Sequence, residues 1–340
     1  MAFDSKPVID DGRKADAAGL RPRFSKNYNP RPLPQSMLRK PYFGEDFWPT
    51  PVACRESRPH NRPVGNTLWQ QRIRRAENLA AQHSFAQEIL AFYIHAARFQ
   101  EGICRRIESR RAFGQSSAGA SPLSSRPLLG HQDADEADRE LLASFPLFLT
   151  VVEEHGPERL SQVAADLRSA HASAWSDLLN AIWSAVDEPP SNPEGFLAFT
   201  FLQPYAELAR SHSRPQLDGY THHLCPFCNR KPGLGVLRPL GDGAQRRLVC
   251  GFCLAEWEFR RIVCPGCGEE NHAKLPVYTA ETFPHIRVEC CDTCHTYIKS
   301  VDLTRNGLAD PLVDELASIP LDLWAQEHGY NKLHPNQFGM

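Results

Sequence analysis

No stretch of this 340-residue sequence approaches 18 consecutive apolar residues, which excludes a membrane-spanning helix and predicts no membrane insertion. Net charge is also nearly absent. The 38 basic residues against 40 acidic ones leave −2, which argues against a nucleic-acid coat or a polybasic membrane binder. No apolar run of about 7–15 residues follows the first basic residues, as a secretory signal requires. The pair Arg110-Arg111 is internal and precedes no apolar segment, so it reads as the charged end of a helix. A cytoplasmic location is the expectation, with thiols kept reduced. Motifs of catalysis are missing as well: no Gly-rich phosphate loop, no Gly-x-Ser-x-Gly elbow and no His-Glu-x-x-His helix. A non-enzyme is therefore expected.

What the sequence does have is proline and cysteine, 28 and 11 residues respectively. Ten prolines fall within residues 1–65, where 12 Lys/Arg face 7 Asp/Glu and no periodicity is visible. Such a segment buries too little apolar surface to offset its ordering entropy, so residues 1–65 are expected to be a disordered Pro/Arg-rich tail. It contains Cys54.

From Thr67 the pattern becomes helical. A helix is expected over 67–82, with Ser84 as an N-cap before the next. Phe85, Ile89, Phe92, Ala96, Phe99, Ile103 and Ile107 then repeat in steps of three and four. The small-residue stretch Gly114–Pro122 predicts a loop, and 137–155 a further helix. Pro157 opens a stripe through Leu160, Ala164, Leu167, His171, Ala174, Leu178, Ile182 and Ala185, read as one continuous helix ended by Pro189-Pro190. His171 reads as a histidine at the edge of the core. A last helix covers 194–212. Residues 66–215 thus predict an α-helical bundle of about five helices, with Cys104 a buried, inert thiol.

The other nine cysteines lie between 224 and 295, and eight form Cys-x-x-Cys pairs: Cys225/Cys228, Cys250/Cys253, Cys264/Cys267 and Cys291/Cys294. Two intervening residues let a tight turn direct both sulfurs at one ion, and two such knuckles complete a tetrahedron. Structural disulfides need an oxidising compartment, and redox Cys-x-x-Cys motifs need an α/β setting that these strand-like surroundings do not offer. Two tetrathiolate metal sites are the favoured reading, pairing the first knuckle with the second and the third with the fourth. An interleaved pairing stays open, and Cys290, beside Cys291, is left out. Zinc and a rubredoxin-type iron both suit four thiolates. Arg230, Lys231, Arg246, Arg247, Arg260 and Arg261 either offset the residual −2 of such a centre or are ordinary solvated charge.

Arg246–Cys250 and Ala255–Val263 alternate as strands do, while Gly233, Gly235, Gly241 and Gly243 are expected at bends. So small a region needs bound metal for much of its folding energy. The expectation is an α+β fold: the helical bundle, then two small rubredoxin-like or zinc-ribbon modules at 222–262 and 263–335. Asp310–Gly329 reads as an amphipathic helix interrupted at Pro320 and packed across the modules.

With those residues in view, the sequence resembles the formate dehydrogenase accessory protein family, FdhE. The resemblance runs from about Arg72 to Asn336. It is densest at Cys225–Cys228, Arg247–Trp257, Arg261–Gly268, Glu289–Lys299 and Asp310–Ala317, with shorter stretches at Phe201–Tyr205 and Glu327–Tyr330. It implies a helical domain followed by two rubredoxin-like metal modules, with the eight paired cysteines as ligands. It also implies a cytoplasmic maturation factor that binds the formate dehydrogenase catalytic subunit before export by the twin-arginine route. The tail of 1–65 and the doubled Cys290 depart from the family's pattern. The roles of the tail and of Cys290 are left open, an added reactive thiol being one reading of Cys290. Two other functions compete with this one. One is a rubredoxin-like iron electron carrier. The other is a zinc-ribbon nucleic-acid binder using a stripe of Arg246, Arg247, Arg260 and Arg261, although 12 Lys/Arg against 14 Asp/Glu over 222–340 disfavour it.

Overall fold

A proline in the middle of a helix removes one N–H and leaves the carbonyl four residues earlier without its donor. Pro204 lies inside the last bundle helix, α6 (Pro193–Ser211), and the orphaned carbonyl is that of Thr200. Gln100 of α2 (Gln87–Arg110) fills the vacancy, its side-chain amide donating to Thr200 O at 2.8 Å. The helix runs on with every residue from Leu197 to Leu208 buried, the polar Thr200, Gln203 and Glu207 among them. Around it pack α1 (Asn66–Gln82), α2, α3 (Glu136–His155), α4 (Glu158–Arg168) and α5 (Ala172–Ser184).

The computed structural model describes residues 24–26, 66–110, 136–186, 189–211, 217 and 219–336. Most of the proline-rich tail with Cys54, Arg111, and the expected loop Gly114–Pro122 lie outside the described residues. Within the tail, Phe24–Lys26 form a short strand, β1.

The expected continuous helix from Pro157 is in fact two. Its apolar stripe passes through Ser169–His171, but the backbone does not stay helical. The Ser169 hydroxyl donates to Asp166 O, and the indole of Trp175 donates to Leu167 O at 2.7 Å, which satisfies a terminal carbonyl of α4. His171 is exposed and extended, and it caps α5 by accepting from Ser173 N; it is no core-edge residue. Ser84 is likewise not a cap. It starts a 3-10 turn, Ser84–Ala86, that leads into α2.

The C-terminal part is one mixed sheet. Its strands are β2 (Pro232–Leu240), β3 (Gly243–Cys250), β4 (Glu256–Glu258), β5 (Val277–Ala280), β6 (Phe283–Cys291), β7 (Thr296–Asp302) and β8 (Asn331–Lys332). The spatial order is β1-β5-β6-β7-β2-β3-β4, with β8 alongside β7. Two stretches, 225–258 and 264–302, repeat one plan: knuckle, hairpin, knuckle, strand. Parallel pairing of β2 with β7, through Gly235↔Ser300, fuses the two plans.

Gly233 and Gly235 are therefore inside a strand, not at bends. A Cβ on Gly235 would stand 2.1 Å from Ser300 Oγ, so close approach of β7 is what needs glycine there. Only Gly241, at φ +53, serves the expected hairpin turn. Strand β4 is also shorter than the alternation over 255–263 predicted. The chain leaves the sheet to reach Cys264, and the guanidinium of Arg246 takes the carbonyls of Arg260 (2.8 Å) and Val263 (3.2 Å).

The C-terminal segment divides into α7 (Pro311–Ala317) and α8 (Ile319–Glu327), parting at Ser318, with Pro320 in the first turn of α8. Val313, Leu316 and Ala317 of α7 bury against α1 and α2, and Leu321 and Ala325 of α8 against β5–β7. These helices thus tie the bundle to the sheet. The largest core likewise joins Phe145, Phe148, Phe199 and Phe201 of the bundle to Leu248, Phe252 and Trp257 of the first module.

Candidate metal centres

Each Cys-x-x-Cys pair folds locally into the same turn. The N–H of the first cysteine bonds the carbonyl five residues on: Cys225 to Arg230, Cys250 to Ala255 and Cys264 to Glu269, at 2.8–2.9 Å. Closing so tight a loop forces the residue after the second cysteine into the left-handed region. Asn229, Leu254 and His295, at φ 60, 53 and 54, occupy those places, and Gly268 (φ 79) takes the fourth. The non-glycine residues with positive φ among the described residues are thus all knuckle residues.

The knuckles meet in pairs. Cys225, Cys228, Cys250 and Cys253 form one cluster, and Cys264, Cys267, Cys291 and Cys294 another, each with its sulfurs within 4.8 Å of one another. The first joins the β2–β3 hairpin ends and the second the β5–β6 hairpin ends, so interleaved pairing does not occur. In the first, Cys225–Cys253, Cys228–Cys250 and Cys228–Cys253 sulfurs lie 3.5, 3.4 and 3.6 Å apart. In the second, Cys264–Cys294 and Cys267–Cys291 are each at 3.7 Å. A tetrahedron with metal–sulfur bonds of about 2.3 Å has edges of about 3.8 Å, so both sets fit one tetrahedrally bound ion. Zinc and iron fit alike. A saturated thiolate set of this kind supplies a structural clamp or a one-electron couple, not an open Lewis-acid position.

The surroundings lower the cost of concentrated thiolate charge. Backbone N–H groups of Phe227, Phe252 and Gly266 point at the sulfurs of Cys225, Cys250 and Cys264 at 3.3–3.4 Å. Burial pushes the thiols of Cys250 and Cys253 well up, and that of Cys264 up to about 12. Hydrogen bonds from Cys225, Cys250 and Cys253 pull Cys228 the other way. At neutral pH it is a bound cation that would displace the remaining protons.

Four of the arginines expected to offset this charge have other principal partners. Arg230 caps the end of α5, donating to Ala185 O (2.9 Å), Ile182 O (2.5 Å) and Trp183 O (3.0 Å), and its guanidinium stacks 3.9 Å from the Phe252 ring. Its positive charge still favours the Cys228 thiolate. Arg246 pairs with Glu289 at 2.6 Å, Arg247 with Glu256 at 2.8 Å and Arg260 with Glu270 at 2.6 Å.

Cys290 is no reactive thiol. Strand alternation turns it to the face opposite Cys291, into the core formed by Phe283, Val288, Tyr297 and Leu321, where burial pushes its thiol up. Cys104 is buried as expected, with Sγ facing Pro204 O.

Sequence reasoning missed the groups that hold the first centre against the bundle. Gln203 of α6 donates to Gly251 O (3.2 Å), Arg210 donates to Cys253 O (3.2 Å), and His334 sits against Gly251. Gln203 lies within the stretch Phe201–Tyr205 that the resemblance picked out, but helical periodicity gives it no role. The Trp257 indole, also in a resembling stretch, fastens His222 O at 2.8 Å just ahead of the first knuckle.

Helical body, fused sheet and paired tetrathiolate clusters define an α+β protein with two four-cysteine sites able to hold metal ions. Comparison with known proteins carries this further. Residues 262–338 match the model of the FdhE C-terminal domain. The "Protein FdhE homolog" of Aquifex aeolicus is 26% identical over 268 residues, covering 75% of this chain and 89% of that protein. The homolog from Stutzerimonas stutzeri is 28% identical over 282 residues, covering 79% and 88%. A crystal structure of the FdhE protein from Pseudomonas aeruginosa shares the fold at TM-score 0.54 and 22% identity, over 80% of this chain and 95% of that one. The chain is thus similar to FdhE proteins over about four fifths of its length, and its residues 262–338 match their C-terminal domain. No helix among the described residues is long and apolar enough to cross a membrane.

Proposed function

We propose that the chain is a non-catalytic, cytoplasmic accessory protein for formate dehydrogenase. It binds the enzyme's catalytic subunit before twin-arginine export and holds one iron or zinc ion on each set of four knuckle cysteines. The observation that carries this reading is the pair of saturated four-cysteine sets built into a chain similar to FdhE proteins. Such sets leave no coordination position for a substrate or a reactive water, which favours a scaffold over a hydrolase. They are also the only groupings of His, Cys, Asp or Glu with metal-site spacing among the described residues.

Deleting the gene should abolish formate dehydrogenase activity, and the wild-type chain should restore it while a chain with both cysteine sets changed to serine should not. The full-length chain should also retain the precursor catalytic subunit in a pull-down. Undiminished enzyme activity in the deletion strain would contradict the reading.

A second reading, a one-electron iron carrier, draws on the exposure of Cys267, which brings one centre to the surface. Visible absorption that bleaches reversibly on reduction would support it, and a colourless zinc protein would end it. Against a nucleic-acid role, Arg246, Arg247 and Arg260 of the expected four-arginine stripe are each paired with a carboxylate.

A further inference from the structure

The two centres share their ligands and turn geometry, yet their surroundings differ. All four cysteines of the first are buried, at 2%, 1%, 0% and 0% exposure for Cys225, Cys228, Cys250 and Cys253. In the second, Cys267 is exposed and Cys294 half-buried. The residue just before the second cysteine of each knuckle differs in the same sense. In the first centre that residue is Phe227 and Phe252; in the second it is Gly266 and Thr293. The Phe252 ring is buried 4.9 Å from Phe199 and 5.7 Å from Trp183, and Phe227 packs on the same core. Gly266 adds no side chain to the centre, and Thr293 turns its hydroxyl to Glu269 at 2.6 Å. The first centre is also latched to α6 through Gln203 and Arg210, whereas the sulfur of Cys294 is touched by Thr296 Oγ1 of its own hairpin, at 3.1 Å.

We propose that the second centre exchanges its ion by ligand substitution at Cys267, while the first releases its ion far more slowly. A soft incoming donor, a thiolate or imidazole presented by a partner or a small chelator, bonds to the ion as the Cys267 sulfur–metal bond breaks. The freed thiolate takes a proton from water, and no electron moves. This inference rests on both cysteine sets binding ions.

The test uses the full-length chain purified anaerobically and loaded with zinc. Total zinc is counted first, and release to 4-(2-pyridylazo)resorcinol is then followed. The expected result is two ions leaving in two phases, the faster by about tenfold or more. Cys267→Ser should remove the fast phase alone, and Phe227→Ala should accelerate the slow phase alone. Two ions leaving in one phase would overturn the asymmetry. Fewer than two bound ions would overturn the metal reading beneath it, so the two failures are distinguishable. Should Cys267→Ser not fold, iodoacetamide labelling of the zinc-loaded wild type decides, read by peptide mass. Cys267 must be modified ahead of the first centre's cysteines, and uniform or absent labelling there contradicts the proposal.

Discussion

Lys299 has no exposed surface, and its ammonium reaches Asp322 at 2.6 Å, Glu315 at 3.1 Å and Ser318 Oγ at 3.0 Å. Lys332 joins the same two carboxylates, and the Tyr297 hydroxyl donates to Asp322 at 2.8 Å. Two cations and two anions balance inside a buried joint between α7, α8 and the sheet. Asp322→Asn would leave two buried ammoniums with one carboxylate, and a loss of about 3–5 kcal/mol in urea unfolding is expected. A second buried cluster sets pH dependence. Burial opposes ionisation of Asp314, but hydrogen bonds from Arg75 (2.8 Å) and His285 (2.7 Å) outweigh it and hold the carboxyl below its usual range. Burial likewise opposes Asp322, and Lys299 and Lys332 outweigh it. A folded value below the unfolded one, near about 4, means stability is present above that value and is lost as pH falls through the folded one. The unfolding midpoint should therefore drop steeply below about pH 4, and Asp314→Asn should flatten that acid limb. Nothing in a one-dimensional pattern marks these residues as buried. Lys299 alternates in a strand and Asp314 sits in a helix turn like any surface charge, and only their partners from distant segments reveal them.

Elements governed by short-range geometry were legible, and those governed by distant partners were not. The four knuckles could be read from spacing because each closes its own hydrogen bonds within five residues. Helices α2, α3 and α6 followed from their apolar repeats. The division of α4 from α5 did not, because the stripe continues through residues whose backbone is turned by local capping and by the Trp175 indole. Fusion of the two modules was equally hidden. It depends on β2 meeting β7 across more than sixty residues of sequence, where Gly235 faces Ser300. Gly235→Ala should therefore weaken the joint by about 1–3 kcal/mol through overpacking. Adding Ser300→Ala should recover part of that loss in thermal unfolding, since the added methyl meets Ser300 Oγ first. Equal destabilisation with and without Ser300→Ala would place the strain elsewhere.

Across the whole molecule, the metal modules are less independent than their size suggested. A short cysteine-rich ribbon standing alone would depend on its ion for most of its stability. Here the first module shares a continuous core with the bundle through Phe199, Trp183, Phe252 and Trp257, and the second is braced by α8. The α+β division and both cysteine sets were legible in the sequence, whereas this shared core was not, because amphipathic patterns do not say which surface covers which. The central claim is that each set of four sulfurs encloses one ion. X-ray absorption at the metal edge of the anaerobically purified full-length chain, read together with its metal content, tests it most directly. The account predicts two ions per chain, each with four sulfur neighbours at about 2.3 Å and no nitrogen or oxygen bound to the ion. Fewer than two ions, mixed nitrogen or oxygen ligands, or knuckle cysteines recovered as disulfides would contradict it.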